Sequence, residues 1–420
     1  MYHADVIVIG AGPAGLFAAA ELAKAGFKTL LVEGGGSAGK KLLISGQGKC
    51  NITNETPVNE FIKHYGSTSA TRFVRKSLYA FSNTDLIDYF ASAGLKLKPR
   101  EDGKVFPASQ SAAEVLNLLL NLCRNSDARL YFDCKINRIE KIDSGFRVYS
   151  AGSCGADGFE AESKNILIST GGFTYPTTGS DGSGYSLAEK LGHSIIPPKA
   201  SLTGIIADRA EYRNFTACAG ITADCSVSLF RYTSKQDEYT GRLLFTHKGM
   251  SGPVIIDNSR NLNPGDEIRI NLLCDRSFDQ ASADFLEFCA NHGKSGVKQF
   301  FIRAGIPERL TAAVFASSGA SASTNSKIAE ISSNDRKKLI AAFTSLKFGI
   351  ASLEGRNRAM CTAGGIDKTE INPATMESRI IPGLYFAGEV IDVDGDSGGF
   401  NLQFAFSSAH AVALSIRNSL

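Results

Sequence analysis

Hydrophobic and polar positions change rhythm along this chain, and the changes mark its parts. Val6-Ile-Val-Ile9 is a short run with no polar residue, the pattern of a strand buried on both faces. Small residues from Leu16 to Lys24 predict a helix, ended by Gly26 where a left-handed cap would sit. Thr29–Val32 predicts a second buried strand. Residues 85–93 and 112–123 carry apolar side chains at three- and four-residue spacing, as amphipathic helices do. Residues 129–142 and 146–149 predict strands, and Asn165-Ile-Leu-Ile-Ser-Thr-Gly-Gly172 predicts another buried strand running into paired glycines. From about residue 195 the texture becomes alternating, at residues 225–232 and 267–272, which predicts half-buried antiparallel strands. From residue 276 to 346 it is helical. Residues 335–348 set Leu339, Ile340, Phe343 and Leu346 on one side, and the Ser/Ala/Gly-rich residues 317–326 predict a loop. Gly383-Leu-Tyr-Phe-Ala-Gly388 then restores the buried-strand pattern of the opening.

These elements predict an α/β protein. A discontinuous Rossmann-like nucleotide domain takes residues 1–194 and 348–420, with an inserted β-rich, barrel-like domain at 195–275 and a small helical domain at 276–347. The chain has 420 residues, too many for one compact core. A formal charge of +3 and the lack of any basic run with interleaved aromatics point to no nucleic-acid partner. No apolar stretch approaches the roughly 20 residues that span a bilayer, and the chain enters its first strand at once, leaving no room for a signal peptide. A cytoplasmic protein is expected, its oligomeric state unread. The nine scattered cysteines, none in a Cys-x-x-Cys pair, suit a reducing compartment and speak against a disulfide scaffold, a zinc site or a redox dithiol. No metal is expected.

The chemistry begins where the first strand breaks into Gly10-Ala-Gly12-Pro13-Ala14-Gly15. Gly10 allows a tight turn, Gly12 lets the backbone approach a pyrophosphate, and Gly15 lets helix and strand pack closely. The helix N-terminus offers free N–H groups to phosphates. Glu33 stands 18 positions after Gly15, at the tip of the second strand, where its carboxylate can accept both hydrogens of a ribose diol and repel a 2′-phosphate. A second strand–acid–glycine–helix unit lies far downstream: Gly388 and Glu389, then Asp394-Gly-Asp-Ser-Gly-Gly399, then a helix from Asn401. One elongated dinucleotide can touch both units. FAD is long enough, whereas NAD would leave the second without a partner.

The motifs then become specific. The loop Gly39-Lys-Lys-Leu-Leu-Ile-Ser-Gly-Gln-Gly-Lys-Cys-Asn-Ile-Thr-Asn54 is followed by Phe106-Pro-Ala-Ser-Gln-Ser-Ala, Tyr175-Pro-Thr-Thr-Gly-Ser-Asp-Gly-Ser-Gly-Tyr and Phe245-Thr-His-Lys-Gly-Met-Ser-Gly-Pro253. Cys361-Thr-Ala-Gly-Gly-Ile, Thr375-Met-Glu-Ser and residues 383–403 complete the series. In this order, from end to end, they resemble the bacterial BaiN-like or aminoacetone-oxidase-like FAD-binding flavoproteins of the glutathione-reductase-type superfamily. The resemblance implies an FAD domain, a β-rich insert and a helical domain. It implies FAD contacts at Gly10, Gly12, Pro13, Ala14, Gly15, Glu33 and Lys41, and in the loop of Ser45, Gly46, Gly48, Cys50 and Asn51. Ile136 would meet adenine by its backbone, with Thr170, Gly171 and Gly172 near the pyrophosphate. Glu389, next to Gly388, would accept from ribityl or ribose hydroxyls, and Gly398, Gly399, Phe400, Asn401 and Leu402 would lie along the pyrimidine end of the flavin. A helix N-terminus there would stabilise a reduced, anionic ring. Phe400 and Phe404 replace the Tyr and Trp common in relatives, which suggests a substrate-side difference.

Three residues are candidates for chemistry beyond the cofactor. Cys50 could be a thiolate favoured by Lys49 and glycine N–H groups, or a small packing residue. Asn51 could bond flavin or substrate, or cap its loop. His247 could act as general acid or base, or be structural. Asp181 reads as a turn residue that could also face substrate. The expectation is an FAD-dependent oxidoreductase moving a hydride between a small organic substrate and flavin N5, with NAD(P)H as transient electron donor. The alternatives are an oxygen-using oxidase of amines or amino-ketones, and a flavin-binding redox sensor without turnover.

Overall fold

In the computed structural model, which describes residues 1–150, 158–274, 276–293 and 295–419, the chain divides into two compact units. Met1–Ser201 with Arg356–Leu420 form one, and Leu202–Gly355 the other. The first is built on a seven-stranded sheet. Four strands run parallel in the order Arg129–Tyr131, Thr29–Val32, Tyr2–Ile9, Phe159–Ile168. Beyond them, the first half of Phe159–Ile168 pairs antiparallel with Gly145–Ser150, and its second half pairs parallel with Leu384–Phe386. The last residues of the chain therefore complete a sheet begun by the first. Val6, Ile7 and Val8 are fully buried, as a polar-free strand must be; each such side chain stabilises by roughly 1.5–3 kcal/mol.

The helix Pro13–Lys24 starts with proline at its first position, where a missing N–H costs nothing. It packs against the C-terminal helix Phe400–Arg417. Alanines at 18, 19, 405 and 409 line the buried faces, and Phe17 meets Phe406 edge-on at 5.5 Å. Every parallel strand points its carboxyl end the same way. Gly10, Glu33, Thr170 and Gly388 thus emerge at one end of the sheet, the end where open α/β folds bind ligands.

The second unit is a closed six-stranded barrel. Four helices, Phe278–Asn291, Lys298–Arg303, Glu308–Ser317 and Ser333–Thr344, enter between its strands Glu267–Asn271 and Leu346–Leu353. Barrel and helices share a single hydrophobic core: Ile268 and Phe348 belong to the same buried cluster as Phe301 and Phe343, whose rings stack at 3.7 Å. Residues 202–355 are therefore one compact body, whereas the sequence pattern divides them into strand-rich and helical domains.

Three local expectations are corrected. The predicted helix at 335–348 ends at Thr344, and Leu346, Phe348 and Ile350 are buried at every second position of a barrel strand. Their two-residue period was masked by the helical spacing that precedes it. Residues 129–142 form two strands, not one, because Asp133 turns the backbone at φ 55°. Seven of the described cysteines are not in disulfides, but Cys134 is disulfide-bonded, and Cys154 lies outside the described residues. Scattered spacing does not reveal which thiols meet in space.

Candidate cofactor site

The glycine turn has three different steric roles. Gly10 adopts φ 104°, and a Cβ there would stand 2.7 Å from the Ser169 carbonyl oxygen. A Cβ on Gly15 would stand 1.9 Å from the Gly10 carbonyl oxygen, which is the close helix–strand approach. Gly12, at φ −78°, would present a Cβ to open space. The turn is clamped by Ser169, whose hydroxyl donates to the carbonyls of Ile9 and Gly10. Ala14 is buried and faces Gly388, where a Cβ would stand 3.3 Å from the Ala14 methyl.

Glu33 bridges the two loops at the sheet end. One carboxylate oxygen accepts from the Ala11 N–H and the other from the Gly35 N–H, both at 2.8 Å. Each oxygen keeps a lone pair for another donor. Cys134 N–H donates to the Glu33 carbonyl at 2.9 Å, which holds the start of the strand Ile136–Ile142 beside it. Ile136 itself is buried.

Lys41 and Glu389, 348 positions apart, form an ion pair of 2.8 Å with both side chains about one-fifth exposed. Lys41 also donates to Thr174 Oγ1 at 2.8 Å. Glu389 accepts from the Thr362 N–H at 3.0 Å and the Thr362 hydroxyl at 2.8 Å. Gly172 lies under this cluster, where a Cβ would come within 2.1 Å of Thr362 Oγ1. Neither Thr174 nor Thr362 stands out in the sequence, although both fall in or beside its motif blocks.

The loop after the helix Lys40–Ile44 is unusual in its backbone. Gly46, Gln47, Gly48 and Cys50 all have φ between 55° and 83°. Ser45 holds its start, donating to the Leu42 carbonyl at 2.7 Å and accepting the Cys50 N–H on its own carbonyl. Burial pushes the Cys50 thiol up to about 12, against a smaller lowering by Ser45. A fully buried thiol held above its usual range stays protonated at neutral pH, which favours the packing reading over the thiolate one. Cys50→Ala is expected to retain bound FAD and turnover, measured by flavin absorbance and steady-state rate.

Among the buried oxygens that lack a hydrogen-bond partner within the described residues, Asn51 Oδ1 and Thr170 Oγ1 lie in the cofactor loops. Leaving a buried polar group unpaired costs about 1–3 kcal/mol, so orphans at this end of the sheet fit a polar ligand. With the open approach at Gly12 and the carboxylates of Glu33 and Glu389, they suit a dinucleotide such as FAD.

The far end of the site is the loop at residues 394–399. Gly398 and Gly399 adopt φ 125° and 103°, and a Cβ on Gly399 would stand 2.5 Å from the Thr53 backbone. Gly399 caps the helix Phe400–Arg417, leaving the N–H groups of Phe400, Asn401 and Leu402 at its start. The Asn401 side chain closes the loop, exchanging hydrogen bonds with Gly395 at 2.8 and 2.9 Å. Phe400 and Phe404 do not face solvent. Both are buried among Phe61, Tyr65 and Phe73, because a helix of small residues needs large rings to fill the space beside it. His64 lies in no motif of the sequence. Its ring stacks on Phe400 at 4.1 Å and its Nδ1 lies 2.9 Å from Asp396, so it clips this loop in place.

Asp181 is a turn residue: its carboxylate accepts the Ser183 N–H and pairs with Lys135. His247 belongs to the other unit, exposed on the turn between strands Ser234–Phe245 and Gly249–Ser251.

A model of the HI0933-like protein Rossmann domain matches residues 4–415. A ribosomal RNA dihydrouridine synthase of Haemophilus influenzae is 32% identical over 99% of this chain and 98% of its own length. A 3-dehydro-bile acid delta(4,6)-reductase of Clostridium scindens is 29% identical over 96% of each. Among solved structures, the 3-ketosteroid-delta4-(5alpha)-dehydrogenase of Rhodococcus jostii superposes with a TM-score of 0.52 at 14% identity, covering 98% of this chain and 97% of that one. At that identity the likeness concerns the fold alone. No helix among the described residues is long and apolar enough to cross a membrane.

Proposed function

The chain belongs to the HI0933-like family of FAD-dependent oxidoreductases, and from that premise we propose that it reduces carbon–carbon double bonds conjugated to a carbonyl, with NAD(P)H as the electron source. The observation that carries this reading is a shared electronic demand in two relatives of matching length. Dihydrouridine is uridine with two hydrogens added across a ring double bond conjugated to a carbonyl. The unsaturation of a 3-dehydro-delta(4,6) bile acid is conjugated to its ketone in the same way. Each reduction needs a hydride on an electrophilic carbon of the conjugated system, β to the carbonyl or its vinylogous δ position, and a proton on a carbon that regains electron density.

Bound FAD supplies a ring that carries hydride between donor and substrate. The residues of this chain bind and orient it. Glu33 would accept the ribose hydroxyls, the open approach at Gly12 and the first helix N-terminus would hold the pyrophosphate, and the Lys41–Glu389 pair would hold the middle of the cofactor. The N–H groups opening the helix Phe400–Arg417 would hold the pyrimidine end and favour negative charge there. His247, an exposed imidazole with no hydrogen-bond partner among the described residues, is the proposed proton donor. His247→Ala is expected to slow substrate reduction by about 10²-fold or more while FAD content and the NAD(P)H step are unchanged. Full turnover in that variant would return His247 to a structural role.

The first substrates to test are a uridine-containing ribosomal RNA and a cyclic enone, each with NADH or NADPH under anaerobic conditions. Mass spectrometry should find a product with two added hydrogens. An enzyme that leaves both untouched, yet consumes oxygen with small amines, would be an oxidase instead.

A further inference from the structure

We propose that one face of the small sheet beside the cofactor loops binds the phosphate backbone of an RNA substrate; this rests on the reductase reading above, with RNA as the carrier of the reduced base. The sheet has strands Thr53–Asn54, Lys104–Pro107 and Leu97–Pro99 in that order, the last two antiparallel neighbours and Leu97–Pro99 at the edge. Its edge comes from Leu95-Lys-Leu-Lys-Pro-Arg100, a strict alternation. Leu95 is buried and Leu97 half-buried, whereas Lys96, Lys98 and Arg100 are exposed.

Cross-strand register shows what shares the cationic face. Lys98 pairs with Phe106, and Lys104, two residues from Phe106, pairs with Asn54. Directly opposed residues lie on the same side of a sheet. Lys98, Phe106, Lys104 and Asn54 therefore stand on one face, and the bonds from Ala108 N–H to the Lys96 carbonyl (2.8 Å) and from Arg100 N–H to the Lys104 carbonyl (2.9 Å) carry the same register to Lys96 and Arg100.

That face abuts both cofactor loops. Asn54 Nδ2 donates to the Gly398 carbonyl at 3.2 Å. Phe106 lies against Gly46, where a Cβ would stand 3.4 Å from its ring, and the Arg100 guanidinium covers the same ring at 3.9 Å. Lys104 is paired with Asp102 and Arg100 donates to Gln110, but Lys96 and Lys98 have no carboxylate partner among the described residues. Cations two residues apart on a strand are roughly 6.6 Å apart, a spacing that can follow successive phosphates of a single strand. Edge-strand lysines also discourage sheet-to-sheet aggregation, but that role does not require them on the face that touches the cofactor loops. An apolar steroid substrate would have no use for such a row.

The test measures binding of deproteinised ribosomal RNA to the FAD-loaded protein across a salt series, for wild type and for Lys96→Gln/Lys98→Gln. The double variant keeps Arg100 over Phe106, and its flavin absorbance checks that the cofactor loops are intact. Expected is at least a tenfold weaker affinity near physiological salt and a salt slope smaller by about 1.4, two phosphate contacts on a single strand. Reduction of a cyclic enone should continue in both proteins. Wild type that binds RNA with the double variant equally tight and equally salt-dependent would overturn this surface alone. Wild type that reduces the enone but binds no RNA would overturn the surface and the RNA carrier while leaving the reductase reading standing. Failure to reduce enone or uracil would overturn the reductase reading itself.

Discussion

Gly12→Val should yield a folded, colourless protein. Gly12 sits at φ −78°, a conformation open to any residue, and its Cβ would enter empty space, so the fold loses little. That same space is where a pyrophosphate must approach the backbone, and two added methyl groups would fill it. FAD should be lost by more than 10²-fold in affinity, read by flavin absorbance after gel filtration. Thermal stability should fall only to that of wild-type apoprotein, because bound ligand itself stabilises the native state. Gly15→Val would behave in the opposite way. Its Cβ would meet the Gly10 carbonyl at 1.9 Å, and the helix could not pack on the first strand. Equal FAD content in Gly12→Val and wild type would show that the dinucleotide lies elsewhere.

Glu389→Ala should weaken FAD by about 10- to 100-fold, the loss of hydrogen bonds to a charged group at roughly 1.5–3 kcal/mol. The carboxylate is the hub of its cluster: Lys41, Thr174 and Thr362 all donate to it. Removing it strands the Lys41 ammonium with only Thr174. The Lys41→Ala/Glu389→Ala double variant should therefore lose less than the sum of the single losses. Additive losses would mean that the two residues meet the cofactor independently. Unchanged FAD affinity in Glu389→Ala would remove the second strand–acid unit from the site.

Much of this site is legible in the sequence because its parts are local. A polar-free strand, three glycines and an acid at the next strand tip dictate their own geometry, and Gly10, Gly15 and Glu33 stand in the contacts that such a motif requires. Leu384–Phe386 reads as a buried strand for the same reason, and it joins the first sheet. What the sequence hides are relations between distant residues. Nothing in the spacing announces that Lys41 meets Glu389, that His64 clips the loop of Asp396, or that Phe400 turns into the core. Cys50 misleads in another way: a basic neighbour suggests a thiolate, but complete burial decides against it. Net charge hides in the same fashion. Lys96, Lys98 and Arg100 alternate with Leu and Pro, so they form no basic run, yet the edge strand and the paired residues flanking it set all three on one face. The barrel and its helices read as separate domains because periodicity reports elements, not the core they share.

The most direct test of FAD-dependent reduction is an anaerobic titration of the yellow protein with NADH and NADPH, followed by addition of a cyclic enone or uridine-containing RNA. A reductase of conjugated double bonds predicts rapid bleaching of the flavin band by one of the nucleotides. It also predicts return of the colour, without oxygen, when the unsaturated substrate is added. Flavin that neither nucleotide bleaches, or whose colour returns only on admitting oxygen, would contradict it.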